Sequence, residues 1–266
     1  MIPFDIERLA DEFKKTIDWM LEDEYGEKLR KDIQQFKDNK GDLNQNPDSE
    51  KAFRMLIELF VTQAWWFQKP GDFDSEMDSF ITKHGTSFRT PAAQEDLVGL
   101  VEGLAPPRIV ARAQKNTSEL LTEYSTIGQF TDELYKLANE GKKKILGEKG
   151  RDNYLRDFGH WDRIPIDRQE MRFIIRTGIY HACDIENRND PLRRSYLHDA
   201  LASFCFTYLK GKMVEGIDLG SAPGIVDIFI WSYCSRRRYN ICGNTSKCDR
   251  CNLEGVCLYA LTGSSK

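Results

Sequence analysis

Four cysteines crowd the C-terminal end of this 266-residue chain, and no other feature constrains its fold as strongly. Their spacing is Cys242-x5-Cys248-x2-Cys251-x5-Cys257, with no histidine nearby. Four thiols on one short loop require a metal centre to hold them. A structural zinc site more often has two close pairs separated by a longer spacer, whereas a four-iron, four-sulfur cluster can be wrapped by longer arms. The spacing therefore favours a 4Fe-4S cluster, leaves zinc as the alternative, and fits two disulfides poorly in a cytosolic chain.

The composition is that of a folded, soluble protein. Hydrophobic residues make up 40% and charged residues 30%, the formal net charge is -4, and the seven cysteines are odd in number and unevenly spaced. No apolar run approaches the roughly 20 residues that span a bilayer. Asp5 and Glu7 stand where a secretory signal needs a basic start and an apolar run. We therefore expect a cytoplasmic protein with no membrane partner.

Apolar residues recur mostly at helical spacing, and no alternating β-branched run is bounded by hairpin turns. The sequence predicts an all-α fold. Residues 38–48 (DNKGDLNQNPD) form the predicted linker because they are rich in Asn, Asp, Gly and Pro. The predicted helices are residues 5–37, 50–67, 75–83, 92–103, 108–123, 130–140, 151–158, 168–182, 193–212 and 224–234.

The cysteine run resembles that of a known family. Residues 238–242 (RYNIC), 247–251 (KCDRC) and 254–257 (EGVC) resemble the C-terminal cluster loop of endonuclease III and its relatives, the helix-hairpin-helix base-excision DNA glycosylases. The first arm has five residues, one fewer than is usual in the family. The resemblance implies a 4Fe-4S cluster on the four cysteines. It also implies cleavage of the N-glycosidic bond of a damaged, mismatched or modified base in double-stranded DNA, with the target nucleotide flipped out of the duplex.

A second resemblance covers the helix-hairpin-helix. Residues 130–139 predict its first helix, residues 146–150 (LGEKG) its hairpin, and residues 151–158 its second helix. Glycines allow the backbone N–H groups to approach a DNA phosphate closely. The resemblance implies DNA contacts at Gly147, Lys149, Gly150 and Arg151. An ordinary turn between helices is the alternative reading of the two glycines.

Asp167 is the predicted catalytic residue. The stretch Ile164-Pro165-Ile166-Asp167 resembles the family segment in which the catalytic aspartate begins a helix. Asp167 with Glu170 also has the pattern of a capping box, which is a purely structural role. The two roles are compatible, because a helix N-terminus keeps a carboxylate ionised and an ionised carboxylate stabilises the positive sugar that forms as the base leaves.

The sequence gives conflicting indications about a lyase step. Bifunctional members of the family carry a lysine near the start of the second hairpin helix, where its amine attacks the sugar. Matching Gly150 and Arg151 to the family hairpin puts Asp152 at that place, which predicts a monofunctional enzyme. Lys149, however, stands 18 residues before Asp167, the usual separation in lysine-bearing relatives, and it remains the alternative nucleophile.

Two further segments resemble parts of the family that approach DNA. Residues 53–66 resemble its buried helix, which ends in a glutamine that enters the duplex. This implies that Gln63 contacts the orphan base, with a plain polar residue at a helix end as the alternative. Three adjacent aromatic residues cannot all face one core at helical spacing, so we expect at least one of Trp65, Trp66 and Phe67 to line a pocket or groove, with packing between domains as the alternative. Residues 103–112 resemble the loop and helix before the hairpin, which implies a DNA contact at Arg108.

The resemblance also implies the organisation of the chain as two helical lobes with the helix-hairpin-helix in one and the cluster loop in the other. The predicted parts are residues 1–50, packed on the cluster lobe, a helical barrel over residues 51–166, and the cluster lobe over residues 167–266. We expect a monomer that binds double-stranded DNA. The alternative functions are a cluster-bearing DNA-binding protein without chemistry and a zinc-stabilised helical adaptor.

Overall fold

The computed structural model describes residues 4–62, 71–86, 88–142, 144–183 and 194–262. Within these ranges the chain is mostly α-helical, which confirms the all-α prediction, and one short antiparallel hairpin pairs β1 (Met213–Val214) with β2 (Ile217–Asp218). None of the helices in these ranges has the length and apolarity needed to cross a bilayer. The helices are α1 (Ile6–Glu22), α2 (Gly26–Gln45), α3 (Glu50–Thr62), α4 (Phe73–His84), α5 (Pro91–Leu104), α6 (Val110–Glu123), α7 (Ile127–Asn139), α8 (Glu148–Asp157), α9 (Arg168–Thr177), α10 (Ile179–Ala182), α11 (Arg194–Tyr208), α12 (Pro223–Cys234) and α13 (Leu258–Leu261).

The N-terminal helix prediction was wrong in two respects. Residues 5–37 are not one helix, because the chain turns between α1 and α2, where a Cβ on Gly26 would lie 1.9 Å from the carbonyl oxygen of Leu21. Residues 38–48 are not a linker, because α2 continues to Gln45. Packing explains the second error: Asn39 is buried and Leu43 packs against a hydrophobic core, and such contacts override the weak helix propensity of Asn, Asp and Gly.

The chain divides into two compact units. The first consists of Met1–Gln35 and Trp161–Lys266, and the second of Phe36–His160. In the first unit, α9 buries the face formed by Glu170, Phe173, Ile174 and Thr177, which recur at the spacing of one helix side. The ring of Phe173 lies 5.1 Å from the ring of Phe13 on α1, so the N-terminal helix contributes to the core that holds α9.

The second unit has an aromatic core of its own. The ring of Phe53 on α3 lies 5.7 Å from that of Phe80 and 6.2 Å from that of Phe88. The first helix of the predicted hairpin packs on the second through Phe130 and Tyr154, whose ring centroids are 5.9 Å apart. Every residue from 151 to 158 is buried. The α8 helix is therefore fixed on all sides after its first turn.

Charged side chains are also buried in α8. Arg151 Nε donates to Asp152 Oδ1 at 2.9 Å, and Arg156 Nε donates to Asp157 Oδ1 at 2.8 Å. Breaking a buried ion pair by removing one partner typically costs about 3–5 kcal/mol, because the other charge stays buried alone. Each pair therefore neutralises two buried charges within α8 itself.

Glycine ends α9 for a steric reason. Gly178 has φ +92°, in the left-handed region, and a Cβ there would lie 2.7 Å from Phe4 Cζ and 2.9 Å from Leu258 Cβ. Both the backbone conformation and the packing therefore require a residue without a side chain.

We expect Gly178→Ala to lower the free energy of unfolding of the first unit by about 1–3 kcal/mol, the usual cost of a strained left-handed residue. Denaturant titration measures the change. Gly255→Ala is the matched control, because a Cβ at Gly255 meets nothing within 4 Å and should change stability by less than about 0.5 kcal/mol. Equal effects of the two substitutions would contradict the steric argument.

Candidate active site and cysteine loop

Asp167 caps the N-terminus of α9. Its Oδ1 accepts the N–H of Gln169 at 2.6 Å, and its own N–H donates to Glu170 Oε2 at 2.7 Å, so the predicted capping box is present. The preceding residues 163–166 are buried, whereas Asp167 is only half-buried. A carboxylate is therefore held rigidly at the positive end of a helix with part of its surface open.

Glu170 lies directly beneath this cap. Its side chain is 1% exposed. Burial raises the pKa of Glu170 well above its usual value, and the negative charge of Asp227 and the hydrogen bond with Asp167 raise it further. Within the described chain, a deeply buried carboxyl group thus stands next to the predicted catalytic carboxylate.

The four cysteines of the loop lie in the first unit near the C-terminal end of α9. Cys242 and Cys257 are buried, and Cys248 and Cys251 are half-buried. The hydroxyl of Tyr233 donates to Cys251 Sγ at 3.2 Å and accepts the N–H of Asn252 at 3.1 Å. One buried tyrosine of α12 therefore fixes both a sulfur atom and the loop backbone beside it.

Arg176, in the last turn of α9, holds the start of the same loop. Its Nη1 donates to the carbonyl of Gly243 at 2.7 Å and lies 3.7 Å from Cys242 Sγ, and its Nη2 donates to the carbonyl of Asn244 at 3.2 Å. A hydrogen bond with the Cys234 thiol, and then the Arg176 guanidinium, lower the pKa of Cys242 to about 6. The lowered pKa favours the thiolate form of Cys242, which is the form that binds metals.

The side chains of the loop carry the donor atoms of a metal centre. Among the described residues, no three His, Cys, Asp or Glu side chains are arranged to hold a metal ion as they stand. The donor chemistry nevertheless fits, because four thiols belong to one loop of one unit and Arg176 and Tyr233 donate hydrogen bonds to two of the sulfurs. Hydrogen bonds to ligand sulfur are a common feature of iron–sulfur sites. Four thiolates also suit Zn²⁺.

The hairpin prediction was wrong about where its second helix begins. The α8 helix begins at Glu148 with Gly147 as its N-cap, so Lys149 and Gly150 lie in its first turn and not in the connecting loop. The turn itself is made further upstream, where Gly141 and Ile145 have positive φ angles of +68° and +59°. The helix begins three residues before the predicted start because the burial of residues 151–158 stabilises it. The two glycines carry no information about that burial.

The N-terminus of α8 has a basic neighbour within the second unit. Gly147 makes no side-chain cap, and a Cβ on it would lie 3.7 Å from Nη2 of Arg112. Arg108 is exposed in the turn before α6, Lys149 is half-buried, and a Cβ on Gly150 would meet nothing within 4 Å. Helix N–H groups beside a guanidinium form an arrangement that suits an anion.

Of the remaining predicted site residues, one is buried inside the second unit and the others lie outside the described residues. Arg151 is buried, and its Nη1 donates to the carbonyl of Lys142 at 2.9 Å in addition to its pair with Asp152, so it stabilises the second unit from within. Gln63, together with Trp65, Trp66 and Phe67, lies outside the described residues. Asp167 and the four cysteines belong to the first unit, and Gly147, Lys149, Gly150 and Arg108 belong to the second.

Comparisons with known proteins add one likeness. No protein-family model matches the sequence, and a search of curated proteins finds no match. A solved structure, the crystal structure of the 8-oxoguanine DNA glycosylase of Thermotoga maritima, is similar with a TM-score of 0.49 and 17% sequence identity, over 87% of this chain and 98% of that chain. A likeness of this strength shows neither a family nor an activity for the chain.

Sequence reasoning missed three residues that shape these sites. Arg176 and Tyr233 contact the cysteine loop across 66 and 18 positions of sequence, and no motif marks them. Asp227 was visible only as an acidic residue interrupting the apolar run of α12. An isolated charge on an otherwise buried helix is a sequence signal that could have pointed to a polar partner.

The four cysteines of the loop predict that the purified protein contains iron. Protein purified without oxygen should contain about four iron atoms per chain with matching sulfide and absorb broadly in the visible range. Cys248→Ala should lose most of that iron, because three thiolates leave one corner of the cluster without its ligand. Cys205→Ala is the control, since Cys205 is buried but lies outside the loop. Stoichiometric zinc in place of iron would favour the adaptor alternative.

Proposed function

We propose that the protein is a DNA glycosylase that cleaves the N-glycosidic bond of a damaged, mismatched or modified base in double-stranded DNA. The observation that carries this proposal is the geometry of Asp167. Its carboxylate is fixed by the capping box at the N-terminus of α9, remains half-exposed, and stands in the segment that resembles the catalytic segment of the helix-hairpin-helix glycosylases.

The proposed chemistry follows from the charge of that carboxylate. When the bond between base and sugar breaks, positive charge develops on the sugar ring, and a fixed negative charge nearby stabilises it. Asp167 can also accept a proton from an attacking water. Because its side chain is held by the N–H of Gln169, it needs no reorganisation during the reaction. The base must be flipped out of the duplex to reach it.

The second unit supplies the proposed DNA-binding surface. The first turn of α8, with Arg112 beside Gly147 and with Lys149, would bind a backbone phosphate, and exposed Arg108 lies before α6. Such contacts position the enzyme on the duplex and carry no sequence information. They predict affinity for many duplexes, whichever base each duplex carries.

The cysteine loop would hold a 4Fe-4S cluster on Cys242, Cys248, Cys251 and Cys257. A bound cluster would connect the four cysteines of the loop covalently. Side chains of two helices connect the loop to the rest of the first unit. Arg176 joins the loop to the helix that begins at Asp167, and Tyr233 joins it to α12. The proposed role of this site is therefore structural support for α9.

The proposal predicts base release that depends on Asp167. Across a panel of duplexes that each carry one modified or mismatched base, at least one should be processed, and Asp167→Asn should slow its single-turnover rate by about 10²- to 10⁴-fold. Binding should be retained, because the carboxylate acts mainly in the transition state. Asp199→Asn is the matched control, since that side chain is 62% exposed on α11.

Two results would contradict the proposal in different ways. Full activity in Asp167→Asn would remove the catalytic role of Asp167. Tight duplex binding without release of any base from the panel would favour the alternative of a cluster-bearing DNA-binding protein.

A second candidate function is a lyase step performed by Lys149. The monofunctional prediction relied on matching Gly150 and Arg151 to the family hairpin, which puts Asp152 at the place of the lysine, whereas the boundary of α8 at Glu148 puts Lys149 in the first turn of the helix. Lys149 is therefore the lysine near the start of this helix. Asp152, which stood at that place in the predicted register, is buried and paired with Arg151. The helix boundary thus supports Lys149 as the amine that would attack the sugar and form a Schiff base.

Borohydride reduction separates the two candidates. If Lys149 forms a Schiff base, reduction during turnover should trap a covalent protein–DNA adduct, and Lys149→Gln should lower trapping by at least about tenfold. Lys142→Gln is the control, because its amine is exposed and pairs with Glu140. An intact strand with an abasic site, and no trapping by the wild-type protein, would support the monofunctional enzyme.

A further inference from the structure

A buried acidic group lies directly beneath the proposed catalytic carboxylate. Glu170 occupies the third position of α9, and its Oε2 accepts the N–H of Asp167 at 2.7 Å. Its Oε1 is buried and accepts no hydrogen bond from any described residue. An ionised carboxylate has two oxygens that each need donors, so burial with one of them unsatisfied strongly disfavours the charged form.

The surroundings of Glu170 disfavour the charged form for a second reason. Asp227, which is 3% exposed, comes from α12, the helix packed against this face of α9. The charged groups that act most strongly on Glu170 are Asp227 and Asp167, and both are acidic. A third titratable neighbour is the thiol of Cys234, also on α12. Like charges this close cannot all ionise without a large cost.

We propose that Glu170 is a neutral positioning residue for Asp167: it keeps its proton, orders the N–H of Asp167 through Oε2, and leaves the negative charge of the site on Asp167. This inference rests on the proposed function of Asp167. It assigns opposite protonation states to two carboxyl groups three residues apart. Asp167 is half-exposed and bonded to helix N–H groups, whereas Glu170 is enclosed among acids.

The neutral state has a specific consequence for the proposed reaction. A second carboxylate beside Asp167 would favour protonation of Asp167, and a protonated Asp167 would stabilise the positively charged sugar poorly. A neutral Glu170 avoids this repulsion while keeping the capping hydrogen bond. Glutamine has the same shape, the same acceptor and no charge, so it reproduces the proposed state, whereas methionine keeps the volume and loses the hydrogen bond.

Infrared spectroscopy tests the protonation state without any enzymatic assay. At neutral pH the wild-type protein should show a carboxylic-acid carbonyl band that is missing from Glu170→Gln, and the band should shift on exchange into D₂O. Glu102→Gln is the control, because Glu102 is exposed on α5 and its loss should leave the acid band unchanged. Absence of an acid band that depends on Glu170 would overturn the inference.

Single-turnover kinetics test the positioning role. We expect Glu170→Met to lower the rate of base release by about 10- to 100-fold, the usual cost of misplacing a catalytic group, with DNA affinity little changed. Glu170→Gln should restore most of that loss, and its thermal unfolding should match that of the wild type. A Glu170→Gln variant that is folded and as slow as Asp167→Asn would show that Glu170 acts as an ionised group, which overturns the inference.

The two measurements separate this inference from the proposed function. If the wild-type protein releases no base from any duplex, the proposed function fails, while the infrared band still reports whether Glu170 is neutral. If base release depends on Asp167 but no acid band depends on Glu170, the proposed function stands and the inference fails.

Discussion

The attachment of the cysteine loop to α9 through Arg176 is the interaction on which the candidate active site depends. The guanidinium donates hydrogen bonds to the loop carbonyls of Gly243 and Asn244. A ten-residue helix is about 15 Å long, so Asp167 lies at one end of a short rigid rod and the loop at the other. Any change in the loop that moves Arg176 would therefore tilt the helix whose N-terminus carries the carboxylate.

Buried charge is handled differently in the two units. In α8 each buried arginine has an acidic neighbour in sequence, so Arg151 and Arg156 neutralise Asp152 and Asp157 locally. Between α9 and α12 the acidic residues Glu170 and Asp227 are neighbours. The proton proposed for Glu170 removes the repulsion between two buried negative charges. The first solution stabilises a scaffold. The second leaves two buried acidic groups beneath Asp167.

The sequence predicted the parts of the structure that local patterns encode. Helical periodicity gave the all-α class, and the pattern of Asp167 followed by Glu170 gave the capping box, which depends on residues three apart. It could not give the extension of α2 to Gln45, which depends on a core that Leu43 reaches only in the folded unit. The contacts of Arg176 and Tyr233 with the loop join residues far apart in sequence, and no periodicity or motif reports such pairs.

The start of α8 shows why a glycine pattern misplaced the beginning of the helix. Gly147 and Gly150 were read together as hairpin residues, because glycine tolerates conformations that other residues avoid. In the structure Gly147 has φ -69°, which any residue adopts, and Gly150 is helical. The positive φ angles fall on Gly141 and Ile145 instead. Glycine at positions 147 and 150 is therefore not required by the backbone, and a Cβ at Gly150 would meet nothing within 4 Å.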